Sequence, residues 1–321
     1  MLKKIAVLQI VTLTLLIGCT STGTAGTGSV KISAVQFSVG EELYGNAEIF
    51  ENRVHAICRA ACEAHNPDLI IFPEYTGAFL ALTGYSDIIF SVSSLHEGFR
   101  LIQQSDPEIQ DLHELFAAHS GRVASQLDRI FGGLAREFNV YILGGSYFHK
   151  EEGKKETTEL YNRLIVYNPS GKRCYEQDKV FLTPFEKDLL NLSAGDFPQN
   201  PGLKINGVPC VFTICRDAFF EEWTEVNKGG HIWIDIKANG VEYDEDARET
   251  FSRALPERLK EGDVPYGITV VLTGHFLDLF WEGQSAAYRA VNNEVFPLVS
   301  AKLWDRQEIL HLSFPAPLWA F

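Results

Sequence analysis

The chain has no run of basic residues longer than a Lys or Arg pair, and its formal net charge is −14 over 321 residues. An acidic chain without a basic patch argues against nucleic acid or anionic headgroups as partners. It also lacks an apolar run of the roughly 20 residues needed to span a bilayer. The nearest candidate, Ile5 to Ile17, is short and interrupted by Gln9, Thr12 and Thr14. Cysteine is scarce, with six residues and no spacing that suggests a disulfide framework. There is no internal repeat. No stretch of residues 30–321 has the composition of a linker, so 30–321 reads as one domain.

What is present begins with a targeting segment. Residues 1–18 have the parts of a secretory signal, with Lys3 and Lys4 ahead of the apolar run. Leu16-Ile17-Gly18-Cys19 resembles a bacterial lipobox, which implies a diacylglyceryl group on Cys19 as the first mature residue. Residues 20–29 contain only Thr, Ser, Gly and Ala and read as a flexible tether, so 19–29 is expected to be lipidated cysteine plus tether. The expected location is outside the cytoplasm, held to a membrane by the lipid, on the periplasmic face or at the cell surface.

The remainder is 45% hydrophobic and 22% charged over the whole chain, which is ordinary for a globular protein with a self-sufficient core. Residues 30–37 alternate as a first strand, and 47–65 carry an apolar stripe at helical spacing. Residues 69–72 are a short continuous apolar run, as expected of a strand covered on both faces. Further strands are expected over 141–148, 160–167, 173–178, 208–215, 231–236, 268–273, 285–289, 295–300 and 309–312. Helices are expected over 123–138, 219–228 and 248–260. The segment 75–121 is mixed and partly helical. Early alternation with later strand pairs implies mixed sheets with helices on their outer faces.

Three segments put a reactive side chain at or just past a strand end, where open sheets present catalytic groups. They are Asp68-Leu-Ile-Ile-Phe-Pro-Glu74, Tyr175-Glu-Gln-Asp-Lys179-Val-Phe-Leu-Thr-Pro-Phe-Glu186 and Val211-Phe-Thr-Ile-Cys215-Arg-Asp217. A free thiol is a few per cent ionised at neutral pH, so a cysteine attacking a carbonyl needs a base. A carboxylate can take the thiol proton and return it to a leaving nitrogen. An ammonium, with a backbone N–H, can stabilise the oxyanion. Such a set cleaves amides or nitriles without a metal or other cofactor.

The three segments resemble the signatures of the nitrilase, or carbon–nitrogen hydrolase, superfamily. Weaker echoes are Tyr161-Asn-Arg-Leu-Ile-Val-Tyr-Asn-Pro-Ser-Gly171, Leu192-Ser-Ala-Gly-Asp196 and Glu282-Gly-Gln-Ser285. The resemblance implies an α-β-β-α sandwich of two mixed sheets with outer helices. It implies Glu74 as base, Lys179 as the stabilising cation and Cys215 as nucleophile. Glu186 matches a second glutamate that bonds the lysine, spaced slightly closer here, and the N–H of Arg216 falls at the oxyanion hole. It further implies a homodimer built through an outer helical face.

This sequence departs from the family pattern around the nucleophile. Arg216 follows the cysteine, Phe219 stands for an Arg, Glu221 for a Pro, and Thr273-Gly274 for an Asn. Nitrilases proper carry Trp-Glu after the cysteine, whereas this chain has Arg216-Asp217, so a small amide is the expected substrate. The 75–121 segment is longer than the family's usual one, either as a lid or binding element or as a surface insertion. The rival readings are an acyltransferase of the same fold and a catalytically silent binding lipoprotein. His55, Cys58, Cys62 and His65 share one helical face, but one straight helix cannot surround a tetrahedral ion, so core packing is expected there. Cys58, Cys62, Cys174 and Cys210 are expected as buried free thiols.

Overall fold

The computed structural model describes residues 28–151 and 159–317. The leader, Cys19 and the tether as far as residue 27 lie outside the described residues. Ser29, expected as the end of the tether, already belongs to the first strand.

Among the described residues, thirteen strands follow in chain order: β1 (Ser29–Val39), β2 (Leu69–Phe72), β3 (Tyr141–Glu151), β4 (Glu159–Tyr167), β5 (Arg173–Asp178), β6 (Leu203–Ile205), β7 (Val208–Ile214), β8 (Ile232–Ala238), β9 (Tyr266–Phe276), β10 (Leu279–Trp281), β11 (Ala286–Val291), β12 (Glu294–Ser300) and β13 (Glu308–Pro315). They form one continuous mixed sheet in the order β5-β4-β3-β2-β1-β9-β8-β7-β6. β13 pairs with β1, β10 and β11 pair with β9, and β12 pairs with β11. β1 joins the two halves. Ile32–Ala34 run parallel to β2, whereas Phe37–Val39 run parallel to β9.

Local chemistry explains the elements that carry the site. All four residues of β2 are apolar and fully buried, as a strand covered on both faces requires. The helix Ala47–His65 starts at Asn46, whose side chain accepts from the Ile49 N–H at 2.8 Å. It ends at Asn66, which takes the left-handed conformation of a C-terminal cap. Phe50, Val54, Ile57, Cys58 and Ala61 form its buried face. On that helix, His55 bonds Glu137 at 3.0 Å and His65 bonds the Leu312 carbonyl at 2.8 Å, so both imidazoles are used in ordinary packing.

The core divides in two main parts. One packs the long helices and the 75–121 segment onto the sheet through Phe50, Phe72, Phe79, Phe116 and Phe131. The other gathers Ile32, Ile71 and Leu164 from one half of the sheet with Phe212, Ile234 and Ile268 from the other.

Several expected elements differ. The helix 123–138 is the end of a longer run, Leu112–Leu127, which passes through a wide turn at Asp128–Gly132 into Gly133–Phe138. Gly132 there meets the Gly171 carbonyl so closely that a side chain would not fit. The helix 248–260 is two helices, Glu245–Ser252 and Leu255–Glu261, because Pro256 cannot continue a helix and starts the second one. The helix 219–228 shrinks to Glu222–Val226, since Phe219 closes a tight turn and Phe220 is extended. β6 and β10 were not expected. Cys58 and Cys210 are buried, but Cys62 is only partly so and Cys174 is exposed, and all four are free thiols. Among the described residues no helix is long and apolar enough to cross a membrane.

Candidate active site

Glu74 sits two residues past β2, and the chain turns sharply there. Tyr75 has φ 61°, and its N–H bonds the Ser146 hydroxyl at 2.9 Å. A non-glycine residue in that conformation costs of order 1–3 kcal/mol and persists only where its surroundings enforce it. Gly145 makes the turn possible, because a side chain there would strike the Pro73 carbonyl and Thr76. The turned Glu74 is fully buried. Its Oε1 accepts from Lys179 Nζ at 2.8 Å and from Asn162 Nδ2 at 2.9 Å, and its Oε2 accepts from the Ala238 N–H at 2.8 Å.

Lys179 directly follows β5. Its N–H bonds the Asn162 carbonyl at 2.9 Å, and its carbonyl accepts from Gly195 at 2.8 Å. That fixes the backbone and aims a fully buried ammonium at two carboxylates, Glu74 at 2.8 Å and Glu186 at 2.7 Å. Glu186 is held in turn by the Thr183 N–H and hydroxyl, each at 2.9 Å, and by Asn162 Nδ2 at 2.8 Å. Burial alone would pull the Lys179 pKa down, but Glu74 and Glu186 outweigh it and hold it above the ordinary lysine value. Glu186 is depressed: burial would raise it, and Lys179 with the Thr183 and Asn162 donors overrides that. Glu74 is raised, mainly by burial, against the pull of Lys179.

Cys215 is the first residue after β7 and has φ 53°, a left-handed turn at a non-glycine position. Its thiol lies within the electrostatic reach of Glu74, Lys179 and Lys237. Burial, with Glu74 beside it, pushes the thiol up to about 12, so it rests protonated. Asp217 ties this turn to the lysine loop. Its carboxylate accepts from Val180 N–H at 3.1 Å, Phe181 N–H at 2.8 Å and Ile214 N–H at 3.4 Å. Burial raises Asp217 to about 8 against those amides. Arg216 is exposed, with its guanidinium 5.9 Å from the Phe220 ring centre.

A cavity of about 270 Å³ reaches this cluster, with Lys179, Ala238 and Tyr75 in its wall. Its other walls include Phe185, Val241, Phe280 and Trp281. The 75–121 segment contributes Tyr75 directly and braces the rest, since the Leu95 N–H bonds Asp278 at 2.7 Å on the rim. A larger cavity, about 430 Å³, lies between Arg163, Glu176, Asp178 and Phe197 and contains none of Glu74, Lys179 or Cys215. Among the described residues no group of His, Cys, Asp and Glu is arranged to hold a metal ion.

The fold was compared with solved structures. A carbon–nitrogen hydrolase from Helicobacter pylori G27 superimposes with TM-score 0.63 at 18% identity, covering 89% of each chain. An amidase from Nesterenkonia sp. superimposes with TM-score 0.60 at 17% identity, covering 89% of this chain and 90% of that one. A variant of the Nesterenkonia sp. AN1 amidase with the acetamide moiety of fluoroacetamide on its active-site cysteine gives TM-score 0.63 at 16% identity, with 89% and 90% covered. This chain has the nitrilase-superfamily fold. By sequence, the probable hydrolase YhcX of Bacillus subtilis (strain 168) is 32% identical over 208 residues, 63% of this chain. The match spans only 33% of that relative's length. No family model matches the chain.

Within the nitrilase-superfamily fold, Glu74, Lys179 and Glu186 meet in one buried cluster with the partly buried Cys215 beside it, while the Arg216 side chain is exposed. Cys19 lies outside the described residues. Sequence reasoning missed Asn162, which donates to both glutamates. Its signal was available: in β4 the buried positions alternate as Leu160, Asn162 and Leu164, so a polar residue occupied an inward position. It also missed Asp235 and Lys237, two charges buried on β8.

Proposed function

We propose that this chain is a carbon–nitrogen hydrolase that cleaves a small amide through a thioester on Cys215. The observation that carries the reading is the buried set in which Lys179 bridges two glutamates, with the Cys215 thiol in the electrostatic reach of Glu74 and Lys179. In the first step the sulfur bonds to the amide carbon and the thiol proton passes to Glu74. Lys179 has a third N–H beyond the two used by the carboxylates, and with the Arg216 N–H it stabilises the oxyanion. Glu74 then gives its proton to the nitrogen as the C–N bond breaks, releasing ammonia. Water adds to the thioester, losing a proton to Glu74, and the C–S bond breaks as that proton returns to sulfur.

The apolar walls and modest volume of the cavity suit an amide with a short, uncharged acyl group. The acetamide adduct of the Nesterenkonia amidase supports the same class. An amide is favoured over a nitrile by Arg216-Asp217 after the cysteine. We read the sheet as doubled over into an α-β-β-α sandwich, a reading supported by the core that gathers residues from both halves. The same proposal includes export as a lipoprotein through Cys19 and a homodimer. Fatty-acid labelling that persists in Cys19→Ala would remove the first, and a monomer mass by sedimentation equilibrium the second.

The activity test is a panel of aliphatic amides with ammonia release as readout. The wild type is expected to turn over at least one, and Cys215→Ala and Glu74→Gln none. Turnover retained by Cys215→Ala would overturn the reading.

A further inference from the structure

Two buried, ion-paired lysines lie around Cys215, and the chemistry above uses only Lys179. The other lysine, Lys237, pairs with Asp235 at 2.9 Å, the two side chains 2% and 0% exposed. Both are on β8, two residues apart, so they share a face of the strand. β8 runs parallel to β7 with Asp235 opposite Thr213 and Ile236 opposite Ile214. Lys237 therefore stands level with Cys215, where β7 ends and the left-handed turn begins.

The pair takes hold of the end of β7 and of the turn that follows it. Lys237 Nζ donates to the Cys215 carbonyl at 3.1 Å. Asp235 Oδ1 accepts from the Thr213 hydroxyl at 3.2 Å, two residues before Cys215. Trp233 fixes that hydroxyl with its ring N–H at 3.0 Å. The Lys237 ammonium also lies 5.0 Å from the Phe219 ring centre and 5.5 Å from that of Phe251, the range of a cation–π contact. A buried ion pair is a poor source of stability, since its desolvation offsets its attraction, whereas it fixes geometry closely. The strained φ of Cys215 is the geometry in need of fixing.

We propose that Lys237, anchored by Asp235, is a positioning residue for the nucleophile: it holds the Cys215 peptide in its left-handed turn so that the thiol faces Glu74. This rests on Cys215 being the nucleophile. The second cation also acts on the sulfur, because Lys237 and Lys179 both favour the thiolate that forms during attack.

The test uses Lys237→Met, the double variant Asp235→Asn/Lys237→Met, and Cys215→Ala in the full chain. Three properties are measured: kcat and KM on an amide the wild type turns over, the pH dependence of Cys215 alkylation by iodoacetamide, and Tm. Lys237→Met leaves Asp235 buried and unpaired, so it is destabilised. The double variant removes both charges and keeps the fold. Both are expected to lose about 10- to 100-fold in kcat with KM changed by less than about twofold, as displaced reacting groups do. Both should also shift the alkylation profile of Cys215 to higher pH. A double variant with wild-type kcat and alkylation profile would overturn the proposal while leaving the hydrolase reading intact. Loss of the fold in both variants would overturn it too, because the pair would then serve the core. Activity in Cys215→Ala would instead remove the hydrolase reading itself.

Discussion

Replacing Glu186 by Gln probes the arrangement at its most constrained point. Both Glu186 oxygens are in use: Oε2 faces Lys179 at 2.7 Å and the two Thr183 donors, and Oε1 accepts from Asn162 at 2.8 Å. Glutamine keeps the shape but offers one acceptor. The Thr183 N–H and the ammonium can only donate, so the Gln carbonyl must face them. Its NH₂ then meets the Asn162 NH₂. Asn162 Oδ1 has no partner among the described residues, so the asparagine relieves this by turning over. In doing so it withdraws its donor from Glu74 as well. The perturbation thus weakens one charge-assisted bond to Lys179 and removes one from the base. Such bonds contribute about 1.5–3 kcal/mol each, and one of them corresponds to roughly 10- to 150-fold in kcat/KM. The assay is kcat/KM by ammonia release on a small aliphatic amide, with Tm measured alongside. A value within twofold of the wild type, in a folded variant, would refute the dependence of Lys179 on its second carboxylate.

Lys179→Met leaves Glu74 and Glu186 buried without their cation and should cost about 3–5 kcal/mol at neutral pH by chemical denaturation. Both carboxylates would then have raised pKa values, so the deficit should shrink as pH falls and they take up protons. For the wild type, the base must be ionised and its pKa is raised by burial, so kcat/KM should fall on acidification along a limb above the usual glutamate value of about 4.3. A limb below that value would argue against Glu74 as base. Gly145→Ala forces a side chain onto the Pro73 carbonyl and Thr76 at φ 77° and should lower stability by roughly 1–3 kcal/mol. It should also reduce kcat, because the turn behind it aims Glu74.

The legible parts of the molecule are those fixed by local chemistry. The Ala47–His65 helix has matching expected and observed bounds, because Asn46, Asn66 and a single apolar stripe mark its ends and its face. Glu74 and Cys215 stand out because each lies at or just past the end of an apolar strand, and Lys179 because it follows β5 directly. Asp235 and Lys237 were hidden for the opposite reason. They alternate with Ile232, Ile234 and Ile236, a pattern that ordinarily puts charges in water. The rings of Phe219 and Phe251 cover the Lys237 ammonium, and Thr213 of β7 bonds Asp235. The 75–121 segment was ambiguous in sequence because its role depends on a distant contact, the bond from Leu95 to Asp278 on the cavity rim.

The most direct measurement is the intact mass of the protein quenched in acid during turnover of a small aliphatic amide. The account predicts a gain equal to the amide less ammonia, mapped to Cys215 and missing in Cys215→Ala. The same gain on any other residue, or in Cys215→Ala, would contradict it.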